Sequence, residues 1–252
     1  MPEGHTIHRL ARDHRPLLVG ERVQLTSPQG KFAEGAALLT GRTCERIEPY
    51  GKHLWYLFEG DLSLHVHLGL YGKWNGGGGP PRLAMTTGDA RLELRGPTAC
   101  EVHTTADRRA TIARLGPDPL RRTDDGHVAA ERIARSRTAI GQLLMDQSVL
   151  AGVGNVYRAE ILFRARQSPF TPGRDVTTWD AMWRDLRALM RKGVRDNRIV
   201  TTDARKPVRR EDAHWVYRRA GEPCRVCGTP VRTEVMAGRN LFWCPVDQPP
   251  AE

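Results

Sequence analysis

The sequence predicts an α+β protein, with a β-sandwich domain first, a helical domain second and a small β-hairpin module last. Three observations predict this order. Short alternating segments separated by turn residues fill residues 19–110, helical periodicity dominates residues 125–195, and three cysteines gather near the C-terminus. A chain of 252 residues is long enough for one large or two modest domains.

The first predicted element is an amphipathic helix. Apolar residues from Ile7 to Leu18 recur at helical spacing, and Gly20 provides a stop. Pro2 and Glu3 therefore precede a helix N-terminus, where free backbone N–H groups attract anions.

The residues before this helix have a possible chemistry of their own. If Met1 is removed, Pro2 carries a free secondary amine, and a terminal amine with a pKa near ~7.7–8 is partly neutral at neutral pH. Attack of this amine on a sugar aldehyde carbon gives an iminium cation, and the adjacent Glu3 can move protons. From these residues alone, a proline that merely marks a processed terminus is the competing interpretation.

Short strands account for most of the N-terminal half. Turn residues at 49–51 and 59–61 help to separate segments of alternating or β-rich composition, which are residues 22–25, 42–48, 53–58, 62–67 and 91–95. Several short strands at regular spacing indicate a β-sandwich or barrel. Residues 76–81, four glycines and two prolines, predict a flexible surface loop, which lacks the Lys-[Ser/Thr] of a phosphate-binding loop.

The helical domain begins after residues 115–119, whose Leu-Gly-Pro-Asp-Pro sequence predicts a linker. The stripe of apolar residues over 179–194 is typical of a buried helix face. Residues 150–157 contain two glycines that allow a tight double turn, and Asn155 opens the next helix. This arrangement suits a phosphate clamp, but an ordinary N-cap asparagine explains it equally well.

The chain is strongly basic, and its cations are mostly arginine. The formal charge is +10, and 34 of the 39 basic residues are arginine. Because arginine makes forked contacts to phosphate, a nucleic acid is the favoured partner. The basic segment 195–223 lies against a polyanion or is a merely solvated face. Since no apolar run approaches the ~20 residues that span a bilayer, we expect a cytoplasmic protein.

The C-terminal cysteines predict a metal site. Two pairs of residues, each pair with two residues between its members, flank a predicted hairpin: Cys224 with Cys227, and Cys244 with Asp247. The tip of this hairpin displays Arg239. Aspartate can bind Zn²⁺ through oxygen, so a site of three sulfurs and one oxygen is one interpretation and a weakened or empty site is the other. The two remaining cysteines, at positions 44 and 100, are expected to be buried in strands.

Four motifs resemble those of one family. They occur in the family's order and together span almost the whole chain. They are Pro-Glu-Gly at the N-terminus, Gly-Lys-His-Leu at 51–54, Leu-Ala-Gly-Val-Gly-Asn at 150–155 and Gly-Arg-Asn-Leu-Phe-Trp-Cys-Pro at 238–245. The chain thus resembles the Fpg/Nei family of DNA base-excision glycosylases. The resemblance implies a β-sandwich domain, a helical domain with a helix–two-turn–helix motif and a zinc finger, here placed at residues 1–118, 119–205 and 206–252. It also implies a monomer that acts on damaged double-stranded DNA at the nucleoid, with one structural Zn²⁺.

The resemblance assigns catalytic roles by position. Pro2 is the expected nucleophile toward C1′ of the damaged nucleotide, and Glu3 is the expected general acid and base. Lys52 matches the family's lysine beside the lesion phosphate. Arg239 matches the finger arginine, which belongs to both the catalytic and the DNA-binding set.

The DNA-binding set follows from the need to flip the damaged nucleotide out of the duplex. Asn155 matches the helix–two-turn–helix asparagine and, like Arg239, is expected to grip phosphates that flank the extruded nucleotide. Leu70 and Tyr71 match the wedge that fills the space left behind, since an apolar wedge can unstack a base step.

Two departures refine the expected activity. Asp247 replaces the fourth cysteine, and the opening Pro-Glu-Gly-His with Leu70-Tyr71 resembles the endonuclease VIII branch. We therefore expect removal of oxidised pyrimidines through a proline Schiff base, with strand cleavage by β,δ-elimination. The alternatives are an 8-oxoguanine or formamidopyrimidine glycosylase of the same family, a non-catalytic binder of abasic or bent DNA, and an RNA-associated factor.

Overall fold

The computed structural model describes residues 2–204 and 207–250, which form two compact units, residues 1–114 and 115–252. The division falls a few residues before the predicted boundary at 118. Asp118 is fully buried, and Gly116 donates its backbone N–H to the Gln147 carbonyl at 2.9 Å, so this run packs within the second unit. The boundary predicted at 205/206 and the processing predicted at Met1 fall outside the described residues. No described helix is long and apolar enough to span a membrane.

The N-terminal unit contains three helices and a large antiparallel sheet among its described residues. The helices are α1 (Gly4–Leu18), α2 (Ala33–Leu39) and α3 (Thr105–Ala113). The strands are β1 (Arg22–Thr26), β2 (Arg42–Tyr50), β3 (His53–Phe58), β4 (Leu62–His67), β5 (Lys73–Trp74), β6 (Leu83–Thr86), β7 (Arg91–Arg95) and β8 (Ala99–Thr104). Their order in the sheet is β5-β7-β6-β1-β2-β3-β4-β8.

Strand β1 joins the two halves of this sheet. Its first residues, Arg22 and Val23, pair with β2, whereas residues 24–26 pair with β6. Alternate residues of both halves then enter one apolar core, which includes Leu54 of β3 and Leu83 of β6, both fully buried. The sheet thus packs against itself, and the predicted β-sandwich domain is confirmed.

The five predicted strands are present, with one correction at a turn. Strand β2 continues through Pro49 and Tyr50, and Pro49 lies opposite Leu54, so the turn into β3 contains only Gly51 and Lys52. A proline is tolerated there because β1 pairs only with the other end of β2, which leaves this end as an edge. Residues 76–81 are irregular, as predicted.

A buried histidine makes the N-terminal unit sensitive to acid. His14 of α1 shares a 2.7 Å hydrogen bond with the Tyr56 hydroxyl, and burial lowers the pKa of His14 to about 4. An unfolded histidine takes up a proton near pH ~6.5, so between pH 6.5 and 4 the unfolded state binds more protons and stability falls as pH falls. We expect His14 to contribute a loss of about 3 kcal/mol over that interval.

Urea unfolding at pH 7 and pH 4.5 measures this loss. The His14→Gln variant, which cannot titrate, is expected to be less stable at pH 7 but to lose less stability on acidification. Equal pH dependence in the two proteins would contradict the assignment.

The C-terminal unit consists of helices followed by a hairpin. Its helices are α4 (His127–Ala134), α5 (Ile140–Leu143), α6 (Asn155–Arg164) and α7 (Trp179–Asp196), and its strands are β9 (Arg232–Met236) and β10 (Arg239–Trp243). The apolar stripe of α7 packs against α6 in one core, as predicted. A second core joins α6 to the hairpin through Phe163 and Phe242. Helix α6 therefore supports both the helical core and the hairpin.

Candidate active site and metal centre

Two contacts give the direction in which helix α1 passes along strand β2. Val19, just past the end of α1, forms a bridge with Cys44 near the start of β2. One turn earlier in the helix, the Arg15 guanidinium donates to the Ile47 carbonyl at 2.9 Å, three residues further along the strand. Moving back toward the start of α1 therefore corresponds to moving forward along β2.

This direction leads from these contacts toward the predicted catalytic residues of the N-terminal unit. From Arg15 back to Glu3 is about 18 Å along a helix, and from Ile47 on to Lys52 is about 16 Å along a strand. Glu3 precedes the first residue of α1 and is fully buried, and Pro2 is partly buried. From these two lengths we infer that the helix N-terminus and the β2–β3 turn lie toward the same end of the unit.

The first turn of α1 carries little positive charge of its own. His5 is buried, and this burial lowers its pKa to about 4, so the imidazole is neutral at neutral pH. The Glu3 carbonyl accepts the Thr6 N–H at 2.9 Å, which starts the helix. The N-terminus of a helix favours an anion, so this end of α1 suits a phosphate.

The predicted wedge residues stand on a rigid turn after β4. Leu70 is 41% exposed and Tyr71 is 79% exposed. Gly69 just before them has φ +63°, and a Cβ atom there would lie 1.8 Å from the Thr98 hydroxyl. The turn therefore requires glycine, and it presents two large side chains to solvent.

Asn155 is held by the protein rather than acting as a helix cap. It is the first residue of α6, and the capping position is Gly154. Its Nδ2 donates to the Asn240 carbonyl of β10 at 2.9 Å. One of the two amide hydrogens is used in this bond, which leaves the other for a ligand. The alternative of an ordinary N-cap asparagine is therefore wrong.

Arg158, one turn further along α6, fixes both Asn155 and the hairpin. Its side chain is fully buried, and its guanidinium donates to the Asn155 side-chain oxygen and to the carbonyls of Asn240 and Met236, at 3.2 and 3.3 Å. The hairpin turns through Ala237 and Gly238, both with positive φ, so Arg239 begins β10 directly beside the tip. One guanidinium thus orients the Asn155 carboxamide and holds the backbone on both sides of Arg239.

Replacement of Arg158 by methionine is expected to weaken binding of abasic DNA about 10–100-fold, because the carboxamide of Asn155 loses its orientation and a charge-assisted bond to phosphate is lost. Fluorescence anisotropy measures the affinity. Arg187→Met is the matched control. Arg187 lies on α7, and it also donates to two backbone carbonyls, those of Asp124 and Arg121. Equal affinity of the two variants would contradict the positioning role.

The predicted metal ligands come together. The Asp247 Oδ2 atom lies 3.1 Å from the Cys224 sulfur and 3.3 Å from the Cys244 sulfur, and the Cys227 and Cys244 sulfurs are 3.4 Å apart. All four ligand atoms lie within 4.8 Å of one another. Tetrahedral zinc with bonds of ~2.0–2.3 Å needs separations of about 3.5–3.8 Å, so small shifts suffice. The four residues fit a zinc ion.

The surroundings of this cluster are also those of a zinc site. The backbone N–H groups of Val226 and Asp247 point at the sulfurs of Cys224 and Cys244, each at 3.4 Å. Gln248 is buried; it accepts from the Cys244 N–H at 3.0 Å and donates to the Gln167 carbonyl at 3.0 Å. Such contacts hold ligands in place around a metal.

Several positioning residues were missed from the sequence. Arg158 and Glu160 are polar residues inside the otherwise apolar run of α6, and that interruption was the available signal. The Glu160 carboxylate is fully buried and accepts the backbone N–H groups of residues 215–217 at 2.7–2.9 Å. Arg219, in the basic segment 195–223, is also buried and bonds to the carbonyls of Trp215 and Pro223. That arginine serves the fold.

Three family models match successive parts of the chain. Residues 1–112 match the Formamidopyrimidine-DNA glycosylase N-terminal domain, and residues 115–204 match the Formamidopyrimidine-DNA glycosylase H2TH domain. Residues 221–250 match a zinc finger found in FPG and IleRS. The matches follow the order that the motifs predicted.

Full-length relatives agree with these models. The chain is 46% identical to Endonuclease 8 1 of Mycobacterium tuberculosis, with 98% of this chain and all of the relative covered. It is 34% identical to the DNA-(apurinic or apyrimidinic site) lyase Nei2 of Mycolicibacterium smegmatis, with 98% and 99% covered. The crystal structure of the MutM (Fpg) protein of Thermus thermophilus is similar along the whole of both chains, with a TM-score of 0.81 and 31% identity.

Proposed function

The chain belongs to the Fpg/Nei family of base-excision DNA glycosylases with AP lyase activity, and from this premise we propose how its own residues perform the reaction. The observation that supports the proposal is the course of α1 back along β2 toward the β2–β3 turn, from which we infer that the N-terminal amine and Lys52 lie at one end of the first unit. A proline amine beside a carboxylate and a phosphate-binding lysine suits attack on a deoxyribose next to a phosphate.

Pro2, freed of Met1, is the nucleophile. Its secondary amine attacks C1′ of the damaged nucleotide and displaces the base, which leaves with a proton. Loss of the amine proton and cleavage of the C1′–O4′ bond, with protonation of O4′, then open the sugar to an iminium that is positively charged at any pH. Loss of the C2′ proton then drives β-elimination of the 3′ phosphate, and a second elimination releases the 5′ phosphate. Glu3 supplies and removes protons during ring opening and elimination, and its burial keeps it aligned with the helix N-terminus.

The remaining site residues hold the DNA. Lys52 neutralises the phosphate beside the lesion, and Asn155 and Arg239 grip flanking phosphates. Arg158 fixes the Asn155 carboxamide and the backbone next to Arg239. Leu70 and Tyr71, exposed on their rigid turn, enter the stack when the nucleotide flips out. The protein acts as a monomer on damaged duplex DNA of the nucleoid.

Oxidised pyrimidines are the proposed lesions. The support is the Leu70-Tyr71 wedge, the Pro-Glu-Gly-His opening and the 46% identity to a protein named Endonuclease 8 1. The rival within the family is an oxidised-purine glycosylase, and 32% identity to the Formamidopyrimidine-DNA glycosylase of Thermus thermophilus keeps that rival in the test.

Borohydride trapping tests the proposal. Duplexes with an oxidised pyrimidine, an oxidised purine or an abasic site are incubated with the enzyme and reduced. We expect a covalent adduct on the duplex with an abasic site. Of the two lesion duplexes, we expect the oxidised pyrimidine to be trapped faster than the oxidised purine. Tight binding with no adduct on any duplex would indicate a non-catalytic binder, and faster trapping on the purine would overturn the lesion assignment.

Zinc, when bound, supplies a structural cross-link between the two ends of the finger. Cys224, Cys227 and Cys244 would hold it with three sulfurs and Asp247 with one oxygen, as their geometry allows. This holds the hairpin that carries Arg239.

Asp247→Ala is expected to lower zinc affinity at least tenfold and DNA cleavage with it, because the ion loses its oxygen ligand. Asp247→Cys is expected to bind zinc more tightly, since it restores four sulfur ligands. Competition with a chromophoric chelator measures both affinities. Unchanged affinity in Asp247→Ala would show that this carboxylate does not bind the ion.

A further inference from the structure

A second group of metal-binding side chains lies on strands β4 and β8 of the N-terminal unit. His65 of β4 is paired directly opposite Glu101 of β8. His103 follows Glu101 by two residues, so both point to the same face of the sheet. The antiparallel register therefore gathers two imidazoles and a carboxylate, which we call the β4–β8 cluster.

The distances within the β4–β8 cluster match those of metal ligands. The Glu101 Oε2 atom lies 3.6 Å from His65 Nδ1 and 3.4 Å from His103 Nε2. The three ligand atoms lie within 4.8 Å of one another. Ligands at ~2.0–2.1 Å in a tetrahedral site stand about 3.3–3.4 Å apart, so a zinc-sized ion fits these separations. The two imidazole rings stack with centroids 4.4 Å apart, so one ring has to turn for both nitrogens to face the ion.

An unsatisfied buried atom points into the same space. His65 is only 5% exposed, and its Nδ1 has no hydrogen-bond partner among the described residues. A buried polar atom without a partner is costly, and a bound ion would satisfy it. Glu101 is 59% exposed at its side chain, so an ion can enter from solvent, and a water molecule can take the fourth position.

The contact behind His65 suits a bound ion, whereas the contact behind His103 has to change. The Nε2 atom of His65 lies 2.9 Å from His53 Nδ1, and a histidine that binds metal through one nitrogen donates from the other. The Trp55 indole donates to His103 Nδ1 at 3.3 Å. Metal binding at Nε2 would move the His103 proton to Nδ1, so this long hydrogen bond is exchanged for a metal–ligand bond.

We propose that His65, Glu101 and His103 form a second metal site, separate from the finger, for a divalent transition ion such as Zn²⁺. Two imidazoles with one carboxylate favour zinc, cobalt or nickel over magnesium and calcium, which prefer oxygen ligands. The ion links β8, at one edge of the sheet, to its neighbour β4. It thereby stabilises the N-terminal unit.

Zinc counting with the full chain tests the proposal. After equilibration at buffered micromolar free zinc and rapid gel filtration, the wild type is expected to carry two ions per chain. His103→Gln and Cys227→Ser should each carry one, and the double variant none. His127→Gln, which alters an exposed histidine of α4, should still carry two.

A second variant separates ligation from folding. His103→Cys offers another zinc ligand and is expected to keep the second ion, together with the rise in melting temperature that added zinc gives the wild type. His103→Gln should lose that part of the rise. The proposal would be overturned if the wild type carried only one ion and Cys227→Ser removed it. It would also be overturned if His103→Gln still carried two ions. One ion that only His103→Gln removes would support this site and contradict zinc in the finger.

Discussion

An enzyme whose Pro2 is covered by an N-terminal extension is expected to form no borohydride-stable adduct with abasic DNA. Strand cleavage should fall by about four orders of magnitude or more, as it does when a covalent nucleophile is removed. The physical reason is that an acylated proline nitrogen has its lone pair in an amide and can form no iminium. DNA affinity should change little, because Lys52, Asn155 and Arg239 are unaltered.

The matched control is the same protein after the extension is cleaved off to regenerate Pro2. Trapping and gel-based cleavage assays on identical duplexes measure both forms. Full recovery after cleavage is the expected outcome. Equal adduct yield before and after cleavage would mean that another amine is the nucleophile.

Glu3→Gln is expected to slow excision of a damaged base by about 10²–10⁴-fold, the usual contribution of a positioned proton donor. Release of the base and opening of the sugar ring each need a proton, whereas an abasic site is in equilibrium with an open aldehyde that Pro2 can attack. Trapping on abasic DNA should therefore be much less affected than excision. Glutamine keeps the shape of the buried side chain, so folding should be preserved.

Single-turnover kinetics on lesion and abasic duplexes measure this difference. Glu21→Gln, at an exposed position of the same unit, is the control and should behave as the wild type. If Glu3→Gln slowed both substrates equally, Glu3 would act in a step common to both, such as positioning of the amine.

Much of the fold was predictable because the spacing of apolar residues along the sequence matches the positions that are buried in the structure. The helix spacing from Ile7 to Leu18 gave α1, and the stripe on α7 is indeed core. The x2 spacings around the hairpin predicted the cluster of Cys224 and Asp247, which lie in hydrogen-bond contact. In each case a side-chain pattern within a few residues carries the information.

The missed elements lack such a pattern. Helix α3 has no buried residue and hence no stripe; what starts it is a capping box in which Thr104 and Asp107 bond to each other's backbone N–H groups. Strand β8 has few buried positions, so its sequence does not alternate clearly. The β4–β8 cluster depends on the pairing of His65 with Glu101, which tertiary structure alone determines.

The candidate site residues could be predicted from motifs, but the contacts that hold them in place could not. Pro2, Glu3 and Lys52 are predicted from motifs, but the inference that they lie at one end of the unit needs the course of α1 along β2. Likewise, Asn155 follows from a motif, whereas Arg158 is recognisable only once its guanidinium is seen to bind carbonyls across the hairpin.

Mass spectrometry of the reduced protein–DNA adduct tests the central claim most directly. After nuclease and protease digestion, the sugar remnant is expected on the N-terminal peptide, which should begin at Pro2 and carry the remnant on the proline nitrogen. A remnant on Lys52 or another lysine, or an N-terminal peptide that retains Met1 in the trapped protein, would contradict the account.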